Sequence, residues 1–146
     1  MEIINKFSLN ILSRSANEGF ARATVAAFAA QLDPTLEEIN DIKTAVSEAV
    51  TNCIVHAYKD AERPDRSYIY ISARLYDNRE MSVEISDNGC GIENVEEART
   101  PSFTTGEPCE RCGMGFLVME SFTDSLSVKS RVGKGTTLLM RKILKS

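Results

Sequence analysis

Basic charge is what this chain conspicuously lacks: 17 Lys and Arg stand against 21 Asp and Glu, a formal net charge of -4 with the single histidine neutral. A protein that grips nucleic acid needs a positive field to neutralise phosphates, so that class of function is disfavoured. Long apolar runs are missing too. Residues 1–12, where a secretory leader or a membrane anchor would lie, are broken by Lys6, Ser8 and Asn10. They read as neither a signal core nor a span, and the expectation is a cytoplasmic protein. There is no internal repeat and no low-complexity tract. The 146 residues are 42% hydrophobic and 26% charged, ordinary for a globular protein and enough for a self-sufficient core. A single domain over residues 1–146 is expected.

Several signatures of chemistry are absent as well. Of the four cysteines, Cys53 falls inside an apolar helical pattern, and nothing marks the chain for an oxidising compartment. Cys109 and Cys112 form a CxxC pair, but a structural zinc site wants a second close pair, and a redox couple wants the start of a helix in a βαβ unit. That second pair is missing, so all four are read as reduced thiols. The clusters Asp87-Asn88-Gly89-Cys90-Gly91 and Gly113-Met114-Gly115 lack the third glycine of a GxGxxG. Gly133-Lys134-Gly135 lacks the upstream glycine and the following Ser or Thr of a P-loop. Rossmann and P-loop readings therefore fail.

What is present reads as alternating helices and strands. Phe7, Leu9 and Ile11 alternate with polar residues, the period-two mark of a half-buried strand. Ser15 and Glu18 have capping-box spacing and predict a helix with Ala21, Thr24, Val25, Phe28 and Leu32 on one face, Arg22, Ala26 and Ala30 elsewhere, and a stop at Asp33-Pro34. Thr35 and Glu38 repeat the box. They open a second helix to about Tyr58, with an apolar stripe of Ile39, Ile42, Val46, Ala49, Val50, Cys53 and Ala57. Alternation from Ile69 to Leu75 and from Met81 to Ile85, joined by Asp77-Asn78-Arg79, predicts an antiparallel hairpin. Residues 93–112 are rich in breakers and form a candidate flexible lid. A short helix from Gly115 to about Phe122 and two strands, from Leu126 to Val128 and from Thr137 to Ile143, close the chain. The fold class expected is α+β: a two-layer sandwich with helices on one face of a mixed, mostly antiparallel sheet.

Three groups of residues could carry chemistry. Glu48, Asn52 and His56 recur every four residues and so form one stripe beside the apolar one on the second helix. A carboxylate there can take a proton, and an amide oxygen is a hard ligand suited to magnesium. A polar stripe is also what an ordinary solvated helix face looks like. Asp87 ends a strand just before Gly89 and Gly91, where backbone can pass close to a flat ligand and a carboxylate can accept from an exocyclic amine. Asp-Asn-Gly equally suits a plain turn. Gly113-Met114-Gly115 precedes an apolar helix whose free N–H groups can receive phosphate oxygens, with Arg111 adding positive charge.

Taken in order, these pieces resemble the ATPase superfamily that includes histidine kinases and DNA gyrase. Within it, Phe20-Ala21-Arg22, Ser47-Glu48-Ala49-Val50-Thr51-Asn52, Asp87-Asn88-Gly89-Cys90-Gly91-Ile92, Glu97-Ala98-Arg99, Phe103-Thr104-Thr105 and Gly113-Met114-Gly115-Phe116 are similar to the anti-sigma serine kinases of spore-forming bacteria. The similarity runs over essentially the whole length. It implies ATP and magnesium as cofactors, Asn52 as magnesium ligand and Glu48 as general base on a substrate serine. It further implies that Asp87 recognises the adenine amine with support from Thr136. Gly89, Gly91, Gly113, Met114 and Gly115 would shape the pocket, and Thr104, Thr105 and Arg111 would serve the lid and terminal phosphate. Arg22 matches a partner-contacting position. The implied partners are a sporulation sigma factor, which is inhibited, and an anti-anti-sigma protein, which is phosphorylated on serine, with a homodimer as the working form. A general-stress anti-sigma kinase and a non-catalytic ATP-dependent sigma-binding module are the alternatives. A histidine kinase is the poorer reading, since His56 is the chain's one histidine and no separate acceptor helix exists. Cys112 and Cys90 depart from the pattern, the first standing where a small hydroxyl residue is expected.

Overall fold

A computed structural model describes residues 1–59, 64–99 and 114–145 of the chain. Its elements are β1 (Ile3–Leu12), α1 (Ala16–Ala29), α2 (Leu36–Asn52), β2 (Tyr68–Tyr76), β3 (Glu80–Asp87), α3 (Val95–Arg99), α4 (Met114–Ser121), β4 (Ser125–Arg131) and β5 (Gly135–Ile143). The strands form one five-stranded sheet in the order β1-β2-β3-β5-β4. Every ladder in it is antiparallel.

Period-two alternation explains the two layers. In β2, Ile69, Ile71, Ala73 and Leu75 are at most 1% exposed, while the residues between them face the other side. The buried set packs with Met81, Val83 and Ile85 of β3, Leu138 and Met140 of β5, and the apolar stripes of α1, α2 and α4. Each such aliphatic side chain contributes about 1.5–3 kcal/mol on burial, so one sheet face covered by helices is the arrangement that collects it. The two-layer α+β architecture expected from the sequence is the one found.

The two capping boxes have different outcomes. Thr35 is extended (φ -70, ψ 164), its hydroxyl accepts the Glu38 N–H at 3.1 Å, and Glu38 Oε1 accepts the Thr35 N–H at 2.9 Å. Glu38 Oε2 also accepts the Lys145 N–H at 2.8 Å, tying the end of β5 to the start of α2. Ser15, by contrast, already has helical angles (φ -57, ψ -33) and makes no side-chain cap bond. A cap hydroxyl reaches the N3 amide from extended backbone, so the expected box cannot close there. Glu18 turns instead to Arg22, 3.3 Å away, and to the Ser47 hydroxyl on α2. Ala26, expected off the apolar face of α1, is only 7% exposed, so the stripe is wider than the spacing suggested. Helix α1 tightens into a 3-10 turn over Ala30–Leu32 and stops at Asp33, which is left-handed (φ 50).

The end of α2 positions the site. Its α-helical bonding stops at Asn52, and Cys53–Ala57 form a turn of π-helix. A π turn widens the helix and shifts the phase of the residues beyond it, a feature concentrated at functional sites.

Candidate functional site

A cleft of about 200 Å³ opens where the end of α2, the end of β3 and the start of α4 converge. Its apolar wall includes Ala49, Ile92, Ala98, Phe116 and Leu138, and its polar groups include Asn52, His56, Asp87 and Thr136. Apolar walls with a few convergent polar groups are the usual build of a small-molecule site.

Asp87 lies at the last position of β3 opposite Thr136 of β5 and is 6% exposed. Its Oδ1 accepts the N–H of Gly89 at 2.9 Å and of Thr136 at 3.3 Å, and its Oδ2 faces the Cys53 thiol at 3.5 Å. Burial pushes the Asp87 carboxyl above its ordinary value, and these donors pull against that rise. Thr136 is held in turn, because its hydroxyl is 2.8 Å from that of Ser130, which also accepts the Ile92 N–H at 2.7 Å.

The glycines after Asp87 are required by the chain's own packing. A Cβ at Gly89 would lie 2.1 Å from the Ala57 carbonyl oxygen, the same oxygen that accepts the Cys90 N–H at 2.8 Å. Gly91 has φ +76, and a Cβ there would meet the Arg131 carbonyl oxygen at 2.3 Å. The segment is thus clamped between the π turn and the β4–β5 hairpin, which fixes Asp87 at the cleft floor. Gly91 lines the cleft itself.

Asn52 ends α2 and faces the cleft, with its amide against the start of α4 beside Gly115. His56 lines the same cleft from the π turn. Glu48 does not: it is half-buried and opens onto a neighbouring shallow depression with Arg22, Asn40, Lys43, Thr44 and Ser47. The stripe of Glu48, Asn52 and His56 is therefore split, two residues to the cleft and one to the depression beside it. Arg22 borders that depression and pairs with Glu18. Thr104, Thr105, Arg111 and Gly113 lie outside the described residues, as do Cys109, Cys112 and residues 100–112 of the lid expected over residues 93–112, whose first part carries α3. Met114 is described as the first residue of α4.

Sequence reasoning missed three contributors. Cys53 was absorbed into the core pattern, since an apolar stripe gives no sign that one member touches a carboxylate. Ser130 lies beyond the strand expected from Leu126 to Val128 and within β4 as observed. Tyr58 accepts the Asn88 N–H at 2.8 Å and donates to the Tyr68 carbonyl at 2.5 Å, bracing the Asp87 turn from outside. Burial, with the nearby Asp87 charge, pushes its hydroxyl up to about 12, so it stays a neutral donor.

A buried acid at the floor of an apolar slot suits a flat heteroaromatic ring carrying an amine. The amide of Asn52 at the rim suits a hard cation whose other ligands are water and phosphate oxygens. Comparison with known proteins gives the family. The family model described as histidine kinase-like ATPase domain matches residues 12–142. A protein of Caldanaerobacter subterraneus named anti-sigma F factor is 56% identical over 144 residues, covering 99% of this chain and 97% of its own length. One of the same name from Clostridium perfringens is 54% identical over 138 residues, with 94% and 96% covered. Among solved structures, the RsbU and RsbW domains of a Mycobacterium tuberculosis protein superpose with a TM-score of 0.69 at 18% identity, over 96% of this chain and 32% of that one. The histidine kinase domain of a blue-light activated kinase from Erythrobacter litoralis gives 0.59 at 18% identity, over 87% and 61%. At that identity the two structures speak to the fold alone.

Proposed function

The chain belongs to the anti-sigma F factor family of histidine kinase-like ATPases, and we propose that it holds a sporulation sigma factor inactive and transfers the terminal phosphoryl group of ATP to a serine of an anti-anti-sigma protein. The observation that carries the nucleotide half is Asp87, buried at the floor of an apolar cleft with one oxygen pinned by backbone N–H groups. In this reading it accepts the adenine amine. Asn52 at the rim would hold magnesium, which would supply positive charge against that of the phosphates.

The transfer half rests on Glu48. It stands on α2 one turn before Asn52, and the depression it borders also carries Arg22 and Lys43. A protein substrate docked over that depression would bring its serine to Glu48 from one side of α2's end, while the phosphates approach from the cleft on the other. Glu48 then receives the serine proton as general base. Arg22 is the partner contact in the same scheme, and the working form is a cytoplasmic homodimer.

The test is incubation with labelled ATP, magnesium and candidate partner proteins. Acid-stable label on the anti-anti-sigma protein is expected, since phosphoserine survives acid and phosphohistidine does not. Glu48→Gln should keep ATP binding and abolish transfer; labelling at the normal rate by that variant would remove Glu48 from the role. Retention of the sigma factor with no labelled partner would instead favour the non-catalytic module.

A further inference from the structure

The two oxygens of Asp87 stand in different surroundings. Oδ1 is held on two sides by the N–H groups of Gly89 and Thr136. Oδ2 has, among the described residues, the Cys53 thiol as its hydrogen-bond partner, with Sγ 3.5 Å away. A thiol is a weak donor, so Oδ2 keeps acceptor capacity toward the cleft while still being steered. Both side chains line the cleft, and both are buried, Cys53 at 3% and Asp87 at 6% exposure, where even a weak donor counts.

The thiol is itself fixed. Cys53 opens the π turn, with its N–H on the carbonyls of Ala49 and Val50, and the far end of that turn receives the Cys90 N–H on the Ala57 carbonyl at 2.8 Å. The helix end and the Asp87 loop are thereby tied together on either side of the sulfur. We propose that Cys53 is a positioning residue for base recognition: its S–H orients Asp87 Oδ2 and keeps it an acceptor, and so sets the preference of the cleft for a purine bearing an exocyclic amine over one bearing a carbonyl. This rests on the reading of the cleft as an ATP site.

The charge states agree with that geometry. The thiol is the donor of the pair, since the carboxylate oxygen it faces at 3.5 Å can only accept. The Cys53 donor in turn opposes the rise that burial imposes on Asp87. Tyr58 on the outer side is neutral. His56 and Lys59 line the same cleft, and Lys129, Arg131 and Lys134 border the other side of Asp87. All five are common to wild type and Cys53 variants, so their contribution cancels when the proteins are compared.

Equilibrium binding of ADP and of inosine diphosphate with magnesium, measured across pH on the full chain, tests the proposal in wild type, Cys53→Ala and Cys53→Ser. The alanine variant removes the donor, and the acid limb of ADP binding is expected to move up by roughly half a pH unit, with the preference for ADP over inosine diphosphate falling severalfold. Serine restores a donor and is expected to return both toward wild type. Three proteins with the same acid limb and the same base preference would overturn the proposal. So would equal weakening of both nucleotides without a shift of the limb, which marks packing alone. Wild type that binds neither nucleotide would defeat the ATP-site reading first, and this inference with it.

Discussion

The amide of Asn52 occupies the space that any side chain at position 115 would need: a Cβ on Gly115 would lie 2.9 Å from Asn52 Nδ2 and 3.0 Å from its Oδ1. The first turn of α4 and the last residue of α2 can approach this closely because Gly115 is bare, and the approach fixes where the amide points.

Gly115→Ala therefore separates two effects. Alanine suits a helix better than glycine, by about 0.5–1 kcal/mol, and the group it meets is the end of a side chain that can rotate away. The thermal midpoint is expected to hold or rise slightly. Affinity for magnesium–ATP should fall about tenfold, because Asn52 must leave its orientation. Isothermal titration alongside a melting curve reads both; unchanged affinity would detach Asn52 from the ligand.

Gly89→Ala makes the opposite case. Its Cβ would sit 2.1 Å from the Ala57 carbonyl oxygen and 2.5 Å from the carbonyl carbon, backbone atoms of the π turn that cannot step aside. The turn must open, breaking the bond from Cys90 and loosening the loop that holds Asp87. A loss of roughly 2 kcal/mol or more in urea denaturation is expected, with nucleotide affinity falling in parallel. Wild-type stability in this variant would mean the loop is not clamped as described.

Gly89 and Gly91 show where sequence reading reaches its limit. The strands were legible because alternation is written into consecutive residues: Ile69, Ile71, Ala73 and Leu75 announce one buried face with no knowledge of what covers it. The Asp87 cluster was legible as a candidate site, and one cleft does gather Asn52, Asp87, Gly91 and Thr136. The reasons were less so. Glycines attributed to close approach by a ligand are required by the carbonyls of Ala57 and Arg131, contacts between segments far apart in the chain. The switch from α to π bonding at Cys53 has no local signature in composition, and the split of the stripe between Glu48 and Asn52 falls within regular α-helix, where four-residue spacing does not say which neighbouring element each turn meets. Cys53 itself reads as one more apolar stripe residue until β3 is laid against it.

The capping boxes give a controlled pair of substitutions. Thr35 and Ser15 look alike in sequence, yet the Thr35 hydroxyl accepts an N–H and Ser15 makes no cap bond. Thr35→Ala should lower unfolding free energy by about 1 kcal/mol, while Ser15→Ala should fall within about 0.5 kcal/mol of wild type. Denaturant midpoints with a common slope measure the difference. Equal losses would show that the Ser15 hydroxyl caps α1 in solution after all.

Asp87 ties function to a stability cost with a definite pH signature. Its folded carboxyl is raised above the ordinary 3.8, chiefly by burial, so the native state holds the proton more tightly than the unfolded chain does. The stabilisation associated with the protonated group is complete below the unfolded value and is lost as pH rises through the folded one. At neutral pH wild type therefore carries a buried ionised carboxylate that opposes folding. Asp87→Asn keeps an oxygen for the Gly89 and Thr136 donors and removes the charge. Its stability relative to wild type should increase as pH is raised from below 3.8 to 7, seen as a widening gap in denaturant midpoints. Its affinity for ATP should collapse at the same time, since an amide nitrogen in place of Oδ2 donates where the adenine amine needs an acceptor. A gap that stays constant with pH would mean that Asp87 is not the group titrating, and retained affinity would move base recognition elsewhere in the cleft.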